Sequence, residues 1–379
     1  MAELPLGIVA EKPAEGIAIK VEQGYMVPYT TKIPGTDVEF TMVPIPAGKF
    51  MLGSPDAEKD RKDDEGPQVE VKLEPFWMGK YEVTWGEYGH YMELVDHFKE
   101  FEDRGLRVVT DENKVDAITA PSALYDPSFT FEAGGLEDTT QAAGTMTQYA
   151  AKQYTKWLSK LSGDYYRLPF ESEWEYACRA GTKTAFYFGD DPDELENHGW
   201  YASNSDEVRH ECGEFPANPW GLYDMYGNVA EWVLDEYSEE GYTHLKDKEN
   251  ITGATSYRPP TKVFPRVLRG GSFATEYEYE CRSASRLPST REWKDEDPNF
   301  PKSPWWYATM QEPLIGLSSG FRIVRPLKAP ESKEAKEKYW EADVEKIVND
   351  ARNRIFENGR GAEGVVDQDL PKAISDLKK

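Results

Sequence analysis

The sequence predicts an α+β chain in which irregular structure outweighs both helix and strand. Three observations lead there. Short strand signals recur early, at 40–44, 50–52, 69–73 and 76–80. Two stretches carry helical character, one beginning at Thr84 and one across 147–161. Beyond 182 the periodicity fades and turns and aromatics take over, although 11 Trp, 22 Tyr and 16 Phe promise a substantial core.

Taken in order, residues 1–37 read as an N-terminal arm with one strand near 16–21. The acidic stretch 54–66 reads as a solvated loop between strands. Thr84-Trp-Gly-Glu87 has the spacing of a capping box and starts a helix. His90 and His97 lie on that helix or just past it, as two surface or half-buried histidines rather than a ligand pair. Residues 98–143, charged and then rich in Pro, Asp and Gly, read as an insertion. In the second helix Ala150, Ala151, Tyr154, Trp157, Leu158 and Leu161 fall three and four apart, and Gly163 is placed to end it. The segment 166–181 reads as a strand end, a proline turn and a short helix with Trp174, Ala177 and Cys178 inward and Gly181 as its cap.

Strands follow at 231–234, at 267–273 with a glycine break, and at 320–325, the last two separated by a long excursion containing the Pro/Trp-rich 301–306. From Ser332 the composition shifts. Trp340, Val344, Ile347, Val348, Ala351 and Ile355 form one stripe, which predicts a long amphipathic helix stopped by Gly359 and a loose tail over 360–379. The expected organisation is thus an arm over 1–37, a domain over 38–326 with its insertion at 98–143, and a helical appendage with a tail over 327–379.

Lys plus Arg number 44 against 69 Asp plus Glu, a net charge of −25 that repels phosphate and excludes nucleic acid as a partner. The same charge suits solubility or divalent cations. No apolar run approaches the roughly 20 residues of a membrane span. The opening residues lack the basic n-region of a secretory signal. A processed chain would lack one too, so the compartment stays open, periplasmic or extracellular if processed. Cys178, Cys212 and Cys281 cannot all pair within one chain and make no disulfide framework.

The chain is organised around 218–232. There Asp224 and Glu231 bracket a Gly227-Asn228 corner crowded by Trp220, Tyr223, Tyr226 and Trp232. Acids set among such aromatics need partners or a metal, because a buried carboxylate is costly alone.

Four segments together resemble one family. They are Met42-Val-Pro-Ile-Pro-Ala-Gly-Lys-Phe-Met-Leu-Gly-Ser54, Tyr166-Arg-Leu-Pro-Phe-Glu-Ser-Glu-Trp-Glu-Tyr176, Gly221-Leu-Tyr-Asp-Met-Tyr-Gly-Asn-Val-Ala-Glu-Trp232, and Arg269-Gly-Gly-Ser-Phe273 followed by Gly320-Phe-Arg322. In that order they look like the formylglycine-generating enzyme, or sulfatase-modifying-factor, domain over about 38–326. The resemblance implies an irregular fold related to C-type lectins and braced by calcium. It places calcium on the side chains of Asp224 and Glu231 and the carbonyls of Gly227 and Val229, oxygen donors that suit a hard cation. A second calcium site would fall near Asn204.

The resemblance also breaks. The family's enzymes oxidise a sulfatase cysteine using copper held by two cysteines. The first of these is Thr275 here, and the second would fall near Tyr279 or Glu280. Cys281 alone cannot supply the soft two-coordinate site that copper(I) favours. The tryptophan that precedes the calcium-binding Glu in those enzymes is Ala230 here. Among His90, His97, His198, His210 and His244 there is no His-x3-His-x-Glu for iron, and nothing pairs a hydroxyl with a histidine for a Ser-His-Asp arrangement.

These losses point away from an enzyme. The reading is a non-catalytic, calcium-stabilised binding or assembly module, and its rival is a divergent oxidase with a relocated metal site. Ser272, Thr275, Glu276, Tyr277, Tyr279, Arg286, Trp305 and Trp306 are the candidate ligand-binding residues, suited to a protein or saccharide ligand. The terminal helix offers a surface for self-association.

Overall fold

The computed structural model describes residues 4–121, 139–291, 318–357 and 359–377. Two four-stranded sheets carry the chain. One runs Val324–Pro326, Phe76–Gly79, Glu39–Ile45, Tyr29–Lys32, antiparallel throughout. The other runs Leu287–Pro288, Arg266–Arg269, Ala230–Glu236, Ser319–Gly320, with the last pair parallel. The hairpin Gly48–Leu52 with Val69–Leu73 stands beside them. Ala230–Glu236 is buried at every position. It therefore reads as a continuous apolar and acidic run rather than an alternation.

Helix Gln148–Ser162 packs on this frame. Thr147 accepts the Ala150 amide, and Gly163 ends the helix in the left-handed conformation, at φ 84°. The expected apolar face is buried, but so are Lys152, Gln153 and Lys156 on the other side. The helix is covered all round because the C-terminal segment lies across it. Lys152 pairs with Asp343, Lys156 with Glu341, and Gln153 donates to the Trp340 carbonyl.

That covering corrects the expected terminal helix. Instead of one long rod the chain makes Lys333–Glu337, then Glu345–Arg352, then a wider turn over Asn353–Glu357. Trp340 is drawn inward, its ring tilted against Tyr165 and its indole N–H donating to the Tyr166 carbonyl. Asp343 is held by Arg266. Both anchors lie where a continuous helix would have passed, and tertiary contacts win over the 3.6-residue stripe. The expected loose tail is ordered as well. Ala362–Val365 pairs with Ala117–Ala120, and Leu370–Leu377 follows as a helix.

The arm, where one strand was expected, holds a small sheet of Ile8–Val9, Gly24–Met26 and Ile19–Val21. The expected insertion begins inside helix Leu94–Asp103, whose Phe98 and Phe101 are buried. Arg266–Arg269 stops before Gly270 and Gly271, both at positive φ, and 320–325 divides between the two sheets. Ala180 rather than Gly181 is the left-handed cap of helix Glu171–Arg179. Trp305 and Trp306 lie outside the described residues.

Candidate functional site

The corner of the chain is built backbone first. Asn218 accepts the Trp220 and Leu222 amides and donates to the carbonyls of Ala177 and Cys178, tying the loop to the preceding helix. Gly221, Asp224, Gly227 and Asn228 all take positive φ. Gly227 has no alternative, since a Cβ there would meet the Trp200 backbone at 2.0 Å. The left-handed turns deliver Asp224 and Glu231 to the interior, and the flanking rings seal them in. Tyr226 and Trp232 are fully buried.

The surrounding motifs supply guanidinium groups. Helix Glu171–Arg179 presents three acids. Glu173 takes both nitrogens of Arg167 at 2.7 and 2.8 Å, Glu171 takes Arg269 and Arg286, and Glu175 takes Arg179 and Arg269. Arg282 binds Glu65 and Glu58. Glu231 belongs to the same network. Arg322 grips it at 2.5–2.8 Å and also donates to the carbonyls of Gly79, Tyr223 and Asp224, while Trp174 Nε1 donates to Glu231 Oε2 at 2.8 Å. Such fully bonded buried pairs fix geometry, since removing one partner strands a charge in low dielectric.

Asp224 stands differently. It is 5 % exposed, its Oδ2 accepts the Gly213 amide at 2.7 Å, and its Oδ1 has no donor among the described residues. Burial pushes its carboxyl up to about 7. Glu82 is buried beside it, accepting from the Val229 amide at 3.0 Å and Asn228 Nδ2 at 2.7 Å. Burial first, then Asp224 and Glu231, raise the Glu82 carboxyl well above its ordinary value. Glu82, Asp224 and Cys212 present ligand atoms within 4.8 Å of one another. Three buried acids thus meet here, and among the described residues the one guanidinium bonded to them holds Glu231 alone.

This tests the calcium set that the resemblance implies. The excess of buried negative charge and the open oxygen of Asp224 fit a cation. Glu231 is already held by Arg322, so calcium would share that carboxylate with the guanidinium. Gly227 and Val229 lie on the same turn, with the Gly227 amide donating to the Gly270 carbonyl. Asn204 is used within its own turn, its Oδ1 accepting the Tyr201 amide and its Nδ2 donating to the Gly199 carbonyl.

The expected ligand surface is only partly assembled. Ser272 is buried, with its amide donating to Thr275 Oγ1 at 2.8 Å. Glu276 is exposed, and Tyr277, 45 % exposed, stacks on Tyr279 with centroids 5.3 Å apart. Arg286 does not belong to that surface. It is buried, bonded to Glu171, and lies against Tyr237 and Tyr242. Cys281 is fully buried, and burial together with Glu280 and Glu278 pushes its thiol far up. Glu82 and Cys212, 130 residues apart, were not legible as partners. Glu82 falls between the expected strand at 76–80 and the helix start at Thr84, and Cys212 has no neighbouring cysteine to mark it.

A family model described as the sulfatase-modifying factor enzyme 1-like domain matches residues 32–300. The chain is 27% identical over 281 residues to the formylglycine-generating enzyme of Mus musculus, covering 66% of this chain and 71% of that one. It is 28% identical over 238 residues to the inactive C-alpha-formylglycine-generating enzyme 2 of Mus musculus, covering 56% and 73%. It is 30% identical over 233 residues to the serine/threonine-protein kinase pkn1 of Chlamydia caviae, covering 61% of this chain but about a third (32%) of that kinase. Among solved structures it is similar to PvdO from Pseudomonas aeruginosa, at 27% identity and a TM-score of 0.53, covering 78% of this chain and 100% of that one.

Proposed function

We propose that this chain, which belongs to the sulfatase-modifying factor enzyme 1-like domain family, is a non-catalytic member that serves as a calcium-braced binding or assembly module. The fold is the α+β, largely irregular fold of formylglycine-generating enzymes. The observation that carries the reading is the state of the sulfur positions. Thr275 stands where the first copper thiolate is expected, and its hydroxyl is engaged by the Ser272 amide. Cys281 is a single thiol sealed in the core. Copper(I) favours a pair of thiolates, and one buried cysteine beside a threonine does not supply them. Ala230 is buried in the sheet opposite Ser319. A relative of similar sequence is itself named inactive.

Calcium would be held by Asp224 through its open oxygen, with Glu231 and the carbonyls of Gly227 and Val229. Its contribution is charge compensation at a corner where buried acids outnumber bonded guanidinium groups. The Tyr277–Tyr279 stack beside Thr275 and Glu276 offers flat apolar faces edged by polar groups, suited to a peptide or saccharide ligand. Val348 and Phe356, at 41% and 63% exposure, leave apolar surface on the C-terminal segment for self-association. Among the described residues no helix is long and apolar enough to cross a membrane.

The test is direct. The full chain, loaded with copper(I), is incubated with a cysteine-containing sulfatase peptide, and aldehyde is trapped with a hydrazide. No aldehyde is expected, and aldehyde at catalytic turnover would overturn the reading.

A further inference from the structure

We propose that Glu82, Cys212 and Asp224 form a binding site for a divalent metal ion of the borderline class to which zinc belongs, entered through an acidic cavity beside the Thr84 helix. Three elements converge to make it. Glu82 lies between the strand Phe76–Gly79 and the Thr84 cap, where two donors from the Asn228–Val229 corner fix its carboxylate. The Cys212 amide donates a hydrogen bond to the Thr140 carbonyl, and its thiol faces Glu82 Oε2 at 3.5 Å. Asp224 comes from the left-handed turn, with one oxygen on Gly213 and the other without a donor among the described residues.

The ligand atoms lie within 4.8 Å of one another. Tetrahedral zinc with one sulfur and two oxygens places such atoms about 3.5 Å apart, so the set has to close by about an ångström on binding. A thiol among carboxylates is the donor chemistry of zinc rather than calcium, which takes oxygen. This is what separates the site from the calcium reading, although both draw on Asp224.

Access is the second, independent observation. A cavity of about 500 Å³ opens onto Glu82 and Cys212, and its wall also carries Glu39, Glu87, Glu211 and His90. Among the described residues no Lys or Arg lines it. Such a cleft concentrates cations. Cys212 is also the cysteine that is not fully buried, whereas Cys178 and Cys281 are sealed. Glu82 and Cys212 both border the cavity, which gives the ion and a fourth ligand from solvent a way in. On binding, the Cys212 S–H bond breaks, the sulfur gives its electron pair to the metal, and the proton leaves to solvent.

The experiment uses the reduced, chelator-treated full chain. Zinc is titrated against a chromophoric competitor, and native thiol reactivity toward a disulfide reagent is followed in parallel. One zinc should bind and protect Cys212 from modification, as mapped by mass spectrometry. Cys212→Ser and Glu82→Gln should each weaken zinc binding about tenfold or more, and excess calcium, which competes only through Asp224 and takes no sulfur, should leave the thiol unprotected. Circular dichroism checks the fold of each variant, and the wild-type protection assay decides the matter should both variants misfold. Zinc binding that is absent, unchanged in Cys212→Ser, or matched by calcium overturns the proposal. Loss of zinc binding with calcium still raising Tm would leave the calcium reading standing.

Discussion

Arg322 meets Glu231 through three short contacts and also donates to the carbonyls of Gly79, Tyr223 and Asp224, so one side chain ties a strand end to the central corner. Arg322→Ala would leave the buried Glu231 carboxyl with the Trp174 indole N–H as its one side-chain donor among the described residues. The expected cost is about 3–5 kcal/mol in urea unfolding, and a loss below 1 kcal/mol would show that the pair is not desolvated as described. Glu87 gives a pH signature. Burial raises its carboxyl to about 7 despite the capping-box bonds from Thr84. A folded value above the unfolded one means that the fold favours the protonated form. That contribution is complete below about pH 4.5 and is lost as pH rises through about 7. Glu87→Gln keeps an acceptor for the cap and does not titrate. In the presence of chelator, wild type should lose roughly 3 kcal/mol relative to this variant between pH 4 and 8, and parallel profiles would contradict the account. At this scale the sequence pointed to a buried Glu231 in need of a partner. It could not say that the partner is an arginine 91 residues further on, because pairing across that distance leaves no local pattern.

The helices were legible where local signals and packing agree. Thr84 with Glu87 and Thr147 with Gly163 end their helices as capping chemistry requires. The C-terminal segment was legible only as a stripe. Trp340 belongs to that stripe, yet it serves as an anchor to Tyr165 and Tyr166 and interrupts the helix. Strand Ala362–Val365 was not visible at all, since Ala-Glu-Gly-Val has little β character and pairs only because Ala117–Ala120 lies open beside it. Gly364 permits the fit, for a Cβ there would strike the Phe98 ring at 2.3 Å. Deleting residues 332–379 should therefore lower the Tm of the remaining chain by several degrees or more, and Trp340→Ala alone should cost about 3–5 kcal/mol. An unchanged Tm in the truncated chain would mean that the segment is a detachable appendage.

Across the whole molecule, acids and guanidinium groups are matched one motif against another. Helix Glu171–Arg179 meets Arg167, Arg269 and Arg286 from outside it, and Glu231 of the corner at 218–232 meets Arg322. Most of the frame could be read from its four motifs, although which arginine meets which acid could not, since the pairs run between motifs. The ligand surface could not, since Arg286 proved to be a frame residue and Trp305 and Trp306 lie outside the described residues. Adding calcium to the chelated chain should raise Tm, and Asp224→Asn should abolish most of that rise. A Tm indifferent to calcium would remove the ion from the account.

The claim beneath all of this is that the scaffold keeps its braced frame without the paired sulfurs of an oxidase. X-ray absorption at the copper edge of the copper(I)-loaded chain measures that most directly. The account predicts no linear two-sulfur shell around copper, and two sulfur neighbours in linear geometry would contradict it.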